Sequence, residues 1–171
     1  MINKKMEKAI NEQINWELYS SYMYFSMAAH FDSINLKGCS GWMRIQAMEE
    51  LTHVKRFYDF LTARGGRVIF SEIKAPPVKW KTPLEVFEET LKHEQHVTTR
   101  INGLYDLALE LKDHATGSFL KWFIDEQVEE EESVEGVIQS LKLNENNPGG
   151  MFIIDKELSQ RAFVAPADVT L

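Results

Sequence analysis

The stretch Glu49-Glu50-Leu51-Thr52-His53 is answered 77 residues later by Glu126-Gln127-Val128-Glu129-Glu130, and Glu17 is answered at the same offset by Glu94. The gap from Glu17 to Glu50 and from Glu94 to Gln127 is 33 residues in both halves. The repeat reads as two similar helix pairs. Its carboxylates and imidazole are donors for a hard or borderline cation, and several fall on stripes that should be buried. Charged groups buried in a core call for a neutralising partner, and a metal ion is one that suits this donor set.

Working outward, apolar residues recur at helical spacing on both sides of each motif. A first helix is predicted from about Lys4 to Ser33, with an inward stripe Met6, Ile10, Ile14/Glu17, Ser21, Tyr24, Ala28, Phe31. After a short break at Asn35–Gly38, a second runs from about Cys39 to Ala63 with the stripe Met43, Gln46, Glu50, His53, Phe57, Phe60. Gly65-Gly66 stops it, since glycine accepts the left-handed cap conformation. Thr82-Pro83-Leu84-Glu85 opens a third helix as N-cap, first-turn proline and capping box. That helix carries Leu84, Phe87, Leu91, Glu94, Thr98, Ile101, Tyr105 and Ala108 inward. A break near Lys112–Ala115 precedes a fourth helix with Thr116, Leu120, Phe123, Gln127, Glu130, Val134, Val137 and Leu141. Asn144–Gly150 reads as a turn, a short fifth helix is expected over about Met151 to Phe163, and 164–171 as a loose tail.

Each main helix holds roughly 25–30 residues, about 40 Å. The Arg67–Lys81 connection reaches roughly 50 Å when extended, enough to run the length of a bundle. The expected fold is therefore all-α: two antiparallel hairpins joined by one long crossover, plus a short C-terminal helix, in one domain over 1–163.

Composition sets bounds. With 171 residues and 44% hydrophobic, the chain can bury a substantial core. No apolar run approaches membrane-spanning length. The start Met1-Ile2-Asn3-Lys4-Lys5-Met6 has no apolar leader core and reads as unprocessed. One cysteine, Cys39, excludes an internal disulfide framework and fits a cytoplasmic setting. A net charge of −7 argues against nucleic acid and anionic membrane and is compatible with attracting cations.

Depth turns the echo into a location. Glu17 lies 19 residues before the first hairpin turn and His53 17 after it; Glu94 and Glu130 stand in the same relation to the second turn. At 1.5 Å per residue all four lie roughly 25–28 Å from their hairpin ends, so docked hairpins bring them to one level. Glu50 and His53, at i and i+3, face the same way. Oxygen donors with one nitrogen suit iron, manganese or zinc more than calcium. A lone Glu-x-x-His is usually a solvated pair; the matched positions 94, 126 and 130 favour the metal reading. Glu49, Glu126 and Glu129 form a candidate outer cation post. Tyr24 is expected in the core with its hydroxyl on a ligand carboxylate, or as an electron donor; Trp122 has the same two readings. His30, His93, His96 and His114 read as surface or packing residues, with His93 directed away from Glu94. Cys39 reads as a small helix-start residue.

Over residues 1–163 the chain resembles the ferritins, above all the bacterial non-haem ferritins. The resemblance rests on Glu17-Leu18-Tyr19-Ser20-Ser21-Tyr22-Met23-Tyr24, Glu49-Glu50-Leu51-Thr52-His53, Glu94 and Glu126-Gln127-x-x-Glu130. It implies an iron-storage ferroxidase that oxidises Fe(II) with O2 or H2O2. One iron would be held by Glu17, Glu50 and His53, and a second by Glu50, Glu94 and Glu130. A third nearby iron would take Glu49, Glu126, Glu129 and Glu130, with Gln127 supporting the centre. It further implies a hollow shell of 24 subunits. Bacterioferritins carry a second Glu-x-x-His where this chain has Gln127-x-x-Glu130, and a haem-ligating methionine where it has Leu51, so no haem is expected. The rivals are a di-iron oxidase without storage and a purely structural bundle.

Overall fold

Asn3 accepts a hydrogen bond from the Lys5 amide and opens α1, Lys4–Ser33. The computed structural model describes residues 1–145, 147 and 149–164. Within them follow α2 (Lys37–Ala63), α3 (Pro83–Glu110), α4 (His114–Leu143) and α5 (Gly150–Leu158). The all-α expectation holds, with two boundary corrections. α2 begins two residues before Cys39, at Lys37. α5 stops at Leu158, not near Phe163, with its last turn closed by Ser159 and Gln160 amides. Residues 161–164 have no regular structure. Of the expected turn, Asn146 and Pro148 lie outside the described residues, as does the tail from 165 to 171.

The duplication extends to the backbone. The two hairpin turns pass through Asn35 at φ 67° and Lys112 at φ 53°, again 77 positions apart. A left-handed residue there reverses the chain within a few residues. Gly65, at φ 73°, ends α2 as expected. Thr82 caps α3 by accepting from the Glu85 amide, but the Glu85 carboxylate takes the Lys81 amide instead of closing the box on Thr82.

Contacts set the helix directions. Ser21 bonds the Ala47 carbonyl, Ser20 meets His93, and Gln46 meets Glu130. Arg64 pairs with Asp113 at the far end. Rising positions on one helix meet falling positions on its neighbour, so adjacent helices are antiparallel and α2 runs parallel to α3. The crossover makes this possible. Asn11 and Asn15 bind its backbone at Arg67, Ile69, Ser71 and Glu72, and Ser26 bonds the Pro77 carbonyl. It thus lies along α1 for most of the helix's length.

Two apolar cores result. One holds Met27, Phe31, Trp42, Met43, Phe87 and Ile138; the other holds Met6, Ile10, Phe57, Leu61, Ile101 and Phe123. Each fully buried side chain of this size contributes about 1.5–3 kcal/mol from burial. The polar residues of the repeated motif fall between the two cores.

α5 docks on the start of α2, where the Cys39 amide donates to Asp155 at 2.9 Å. A Cβ on Gly38 would stand 1.6 Å from the Asp155 carbonyl oxygen, so this contact admits only glycine. Gly38→Ala is expected to lever α5 off and cost about 1–3 kcal/mol. Cys39, fully buried with its thiol pKa raised by burial and by Asp155, should then react with thiol reagents. A Cys39 that stays inert in the variant would show that α5 docks differently.

Candidate metal centre

Each long helix delivers at least one acidic or imidazole group to the layer between the cores. Glu17 comes from α1, Glu50 and His53 from α2, Glu94 from α3 and Glu130 from α4. None is more than 6% exposed, which makes them core residues by burial and polar by chemistry. Ligand atoms of Glu17, Glu50 and His53 lie within 4.8 Å of one another, as do those of His53, Glu126 and Glu130. His53 belongs to both groups. Its Nδ1 sits 3.2 Å from Glu50 Oε2, and its ring meets Trp122 and Phe123 edge-on at 5.6 Å. Trp122 therefore packs on the imidazole, and the Arg56 guanidinium lies 3.8 Å from the centroid of the Trp122 ring.

Glu94 is held differently. Tyr24, fully buried, donates its hydroxyl to one Glu94 oxygen, and Gln127 donates to the other at 3.2 Å. Gln127 also reaches the Glu94 main-chain carbonyl at 3.2 Å. The tyrosine therefore sits where the sequence places it, in the core with its hydroxyl on a carboxylate.

Two amides of this layer carry no echo in the repeat. Gln13 donates to Glu17 at 2.8 Å while accepting from Arg100 at 2.9 Å, and Gln46 donates to Glu130 at 2.8 Å. Positions 90 and 123, their counterparts by offset, are Thr and Phe. Gln13 lies four residues before Glu17, on the same helix face, and that spacing is its one available signal. Of the two readings open for His93, surface or packing, the second holds. It is not at the surface: it is 9% exposed, bonds Ser20 Oγ at 2.7 Å and stacks on Trp16 at 5.6 Å. Burial lowers its pKa to about 4, so it packs as a neutral ring. Glu49 and Glu126 are partly buried and Glu129 is exposed, which makes these three the outer rim of the layer.

The electrostatics are those of crowded buried acids. Burial first, then the neighbouring Glu17 and Glu94 charges, raises the Glu50 pKa well above the usual carboxylate range. Burial and Glu130 push Glu94 up to about 8. Glu49 is raised to about 7, mainly by burial, and Glu126 is raised for the same reason. Glu17 Oε2 is buried with no hydrogen-bond partner. Clustered carboxyl oxygens, an orphaned acceptor and one imidazole are a donor set that suits a divalent cation of the iron, manganese or zinc type.

A four-helix bundle with a long crossover and a carboxylate–imidazole layer buried between two cores defines the ferritin-like class of metal proteins. The sequence profile described as "Ferritin-like domain" matches residues 7–144. A bacterial non-heme ferritin of Bacteroides fragilis (strain 638R) is 41% identical over 161 residues, covering 94% of this chain and 100% of the relative. That of Staphylococcus saprophyticus is 42% identical over 163 residues, covering 95% and 98%. The crystal structure of an open pore ferritin from the hyperthermophilic archaeon Archaeoglobus fulgidus superposes with a TM-score of 0.94 at 47% identity, covering 95% of this chain and 100% of the other. The chain belongs to the ferritin family.

Proposed function

We propose that this ferritin stores iron and that the buried layer is its ferroxidase centre. Fe(II) is the substrate. Glu17, Glu50 and His53 hold one ion; Glu50, Glu94 and Glu130 hold a second, with Glu50 shared. Glu49, Glu126, Glu129 and Glu130 hold a third at the rim. The observation that carries the reading is the buried trio Glu17, Glu50 and His53, whose ligand atoms lie within 4.8 Å of one another, with the buried carboxyls of Glu94 and Glu130 close enough to act on Glu50.

Each Fe(II) gives up one electron, and two together reduce O2 to H2O2, or H2O2 to water, with uptake of two protons. The protein's part is ligand geometry and proton handling. The acids with raised pKa hold protons in the metal-free state and release them as cations arrive. Tyr24 and Gln127 orient Glu94; Gln13 and Gln46 orient Glu17 and Glu130. Ligands so supported hold their geometry better than ligands free to rotate. To join an ion, Glu94 must share its oxygens with Tyr24 and Gln127 or give up one of them.

The product Fe(III) passes to a mineral inside a shell of 24 copies in the cytoplasm. Leu51 directly after Glu50 supplies no sulfur ligand, and no haem takes part. The single domain spans 1–163. Among the described residues no helix is long and apolar enough to cross a membrane.

The test adds Fe(II) in air to metal-free protein, follows oxidation and sizes the product. Oxidation well above the buffer rate with iron retained in a large particle is the expected result. No acceleration over buffer would remove the ferroxidase reading. Oxidation by a small particle that keeps no iron would leave an oxidase without storage.

A further inference from the structure

Arg161 lies three residues beyond α5, yet its Nη2 donates to Glu49 Oε2 at 2.7 Å, across 112 positions of sequence. The two side chains are 22% and 21% exposed, so the pair is mostly shielded from water. The guanidinium lies 4.5 Å over the buried Trp42 ring. Its Nη1 is buried with no hydrogen-bond partner. The reach is set by α5, which Asp155 pins to the Cys39 amide. Glu49 in turn feels Glu126 and Glu130 as like charges. Glu130 and Glu126 belong to the trio with His53 whose ligand atoms lie within 4.8 Å of one another. Arg161 is thus a positive charge of the chain itself, held on the rim of an acidic cluster.

A carboxylate oxygen engaged by a guanidinium has less charge to offer a metal ion, and two cations at one carboxylate repel each other. We infer that Arg161 is a tethered counter-ion of the outer position, displaced when a divalent cation binds Glu49, so that filling this position loosens the turn at 159–161 that ends α5. The inference rests on the outer position of the proposed function. Arg161 then sets how long iron stays there: it returns to Glu49 as the ion leaves. By linkage, whatever the cation does to the Arg161 contact, the contact does to cation affinity by the same factor. A mostly shielded single pair is worth little, so the factor is modest, about five- to tenfold.

The test titrates redox-inert Zn(II) calorimetrically into the assembled, metal-free protein, with Arg161→Ala and Arg161→Lys beside it. The weaker class of sites is expected to tighten about five- to tenfold in Arg161→Ala, with the tighter class unchanged and Arg161→Lys close to the parent. Hydrogen exchange supplies the reciprocal reading. Zn(II) should speed exchange at the hydrogen-bonded amides of Ser159, Gln160 and Arg161 in the parent, whereas in Glu49→Gln they should already exchange fast and ignore Zn(II). A weaker class indifferent to Arg161, or amides that Zn(II) leaves protected, overturns the inference alone. Absence of any weaker class beside an intact tighter one overturns the outer position too.

Discussion

Glu50→Ala combined with His53→Ala is expected to slow Fe(II) oxidation about a hundredfold or more, to near the buffer rate, with the assembled particle unchanged in size. Supporting residues around a metal commonly cost 10- to 100-fold when lost, and these two are direct ligand candidates. They sit together in the trio with Glu17, and His53 is common to both trios, so the pair of changes empties the centre of its shared groups. The fold should survive. Removing Glu50 deletes a buried acid that burial and two neighbouring carboxylates already disfavour in its charged form. The cavity left behind costs stability, but the removal of a buried polar carboxyl from a crowded acidic layer offsets part of it. The measurement is stopped-flow absorbance at the Fe(III) band, with size-exclusion chromatography as the fold control. An unchanged rate in a particle of unchanged size would place the oxidation elsewhere.

The metal-free protein should lose stability as pH rises from 6.5 to 8, against the trend of an ordinary acidic protein. Burial holds the Glu94 pKa up to about 8 and that of Glu49 up to about 7, while Glu50 is raised well above its usual value. In the unfolded chain these groups ionise near 4.5. Over the window between, the folded state keeps protons that the unfolded state has lost, so stability falls with rising pH. Their full contribution is present only below the unfolded value. His93 acts the other way: its folded pKa of about 4 lies below the ordinary 6.5, so it makes stability rise through that lower window. Above pH 6.5 its effect is spent and the decline stands alone. One retained proton across the window corresponds to a loss of ~2 kcal/mol per subunit. Zn(II) should flatten or reverse the slope, because a cation replaces the protons and favours ionised ligands. Denaturant midpoints at pH 6.5 and 8, with and without Zn(II), decide the matter. A metal-free protein more stable at pH 8 would show that the layer already carries its own counter-charges.

Helix periodicity is local, so the stripes through Glu17, Glu50, Glu94 and Glu130 can be read directly from the chain, and all four residues are buried. Depth along a helix is equally local, being a fixed rise per residue, and that is enough to bring these groups to one level. Boundaries are less legible. Arg161, Ala162 and Phe163 are compatible with a longer α5, but Arg161 turns to Glu49 and the Trp42 ring and the helix ends at Leu158. The burial of His93 is hidden for a related reason. An exposed and a buried imidazole on the flank of a helix have the same local sequence, and its Ser20 partner lies 73 residues away.

The bundle, the crossover and the kind of cation site are written in the chain itself, because period, turn chemistry and spacing each act over a few residues. Which oxygens are engaged is a matter of tertiary packing. Packing gives Glu94 to Tyr24 and Gln127, Glu17 to Gln13, and Glu130 to Gln46. It also lays Arg161 on Glu49 and closes α5 over Gly38. These contacts depend on how helices cross and which rotamers the crossing permits, and distant residues settle both together.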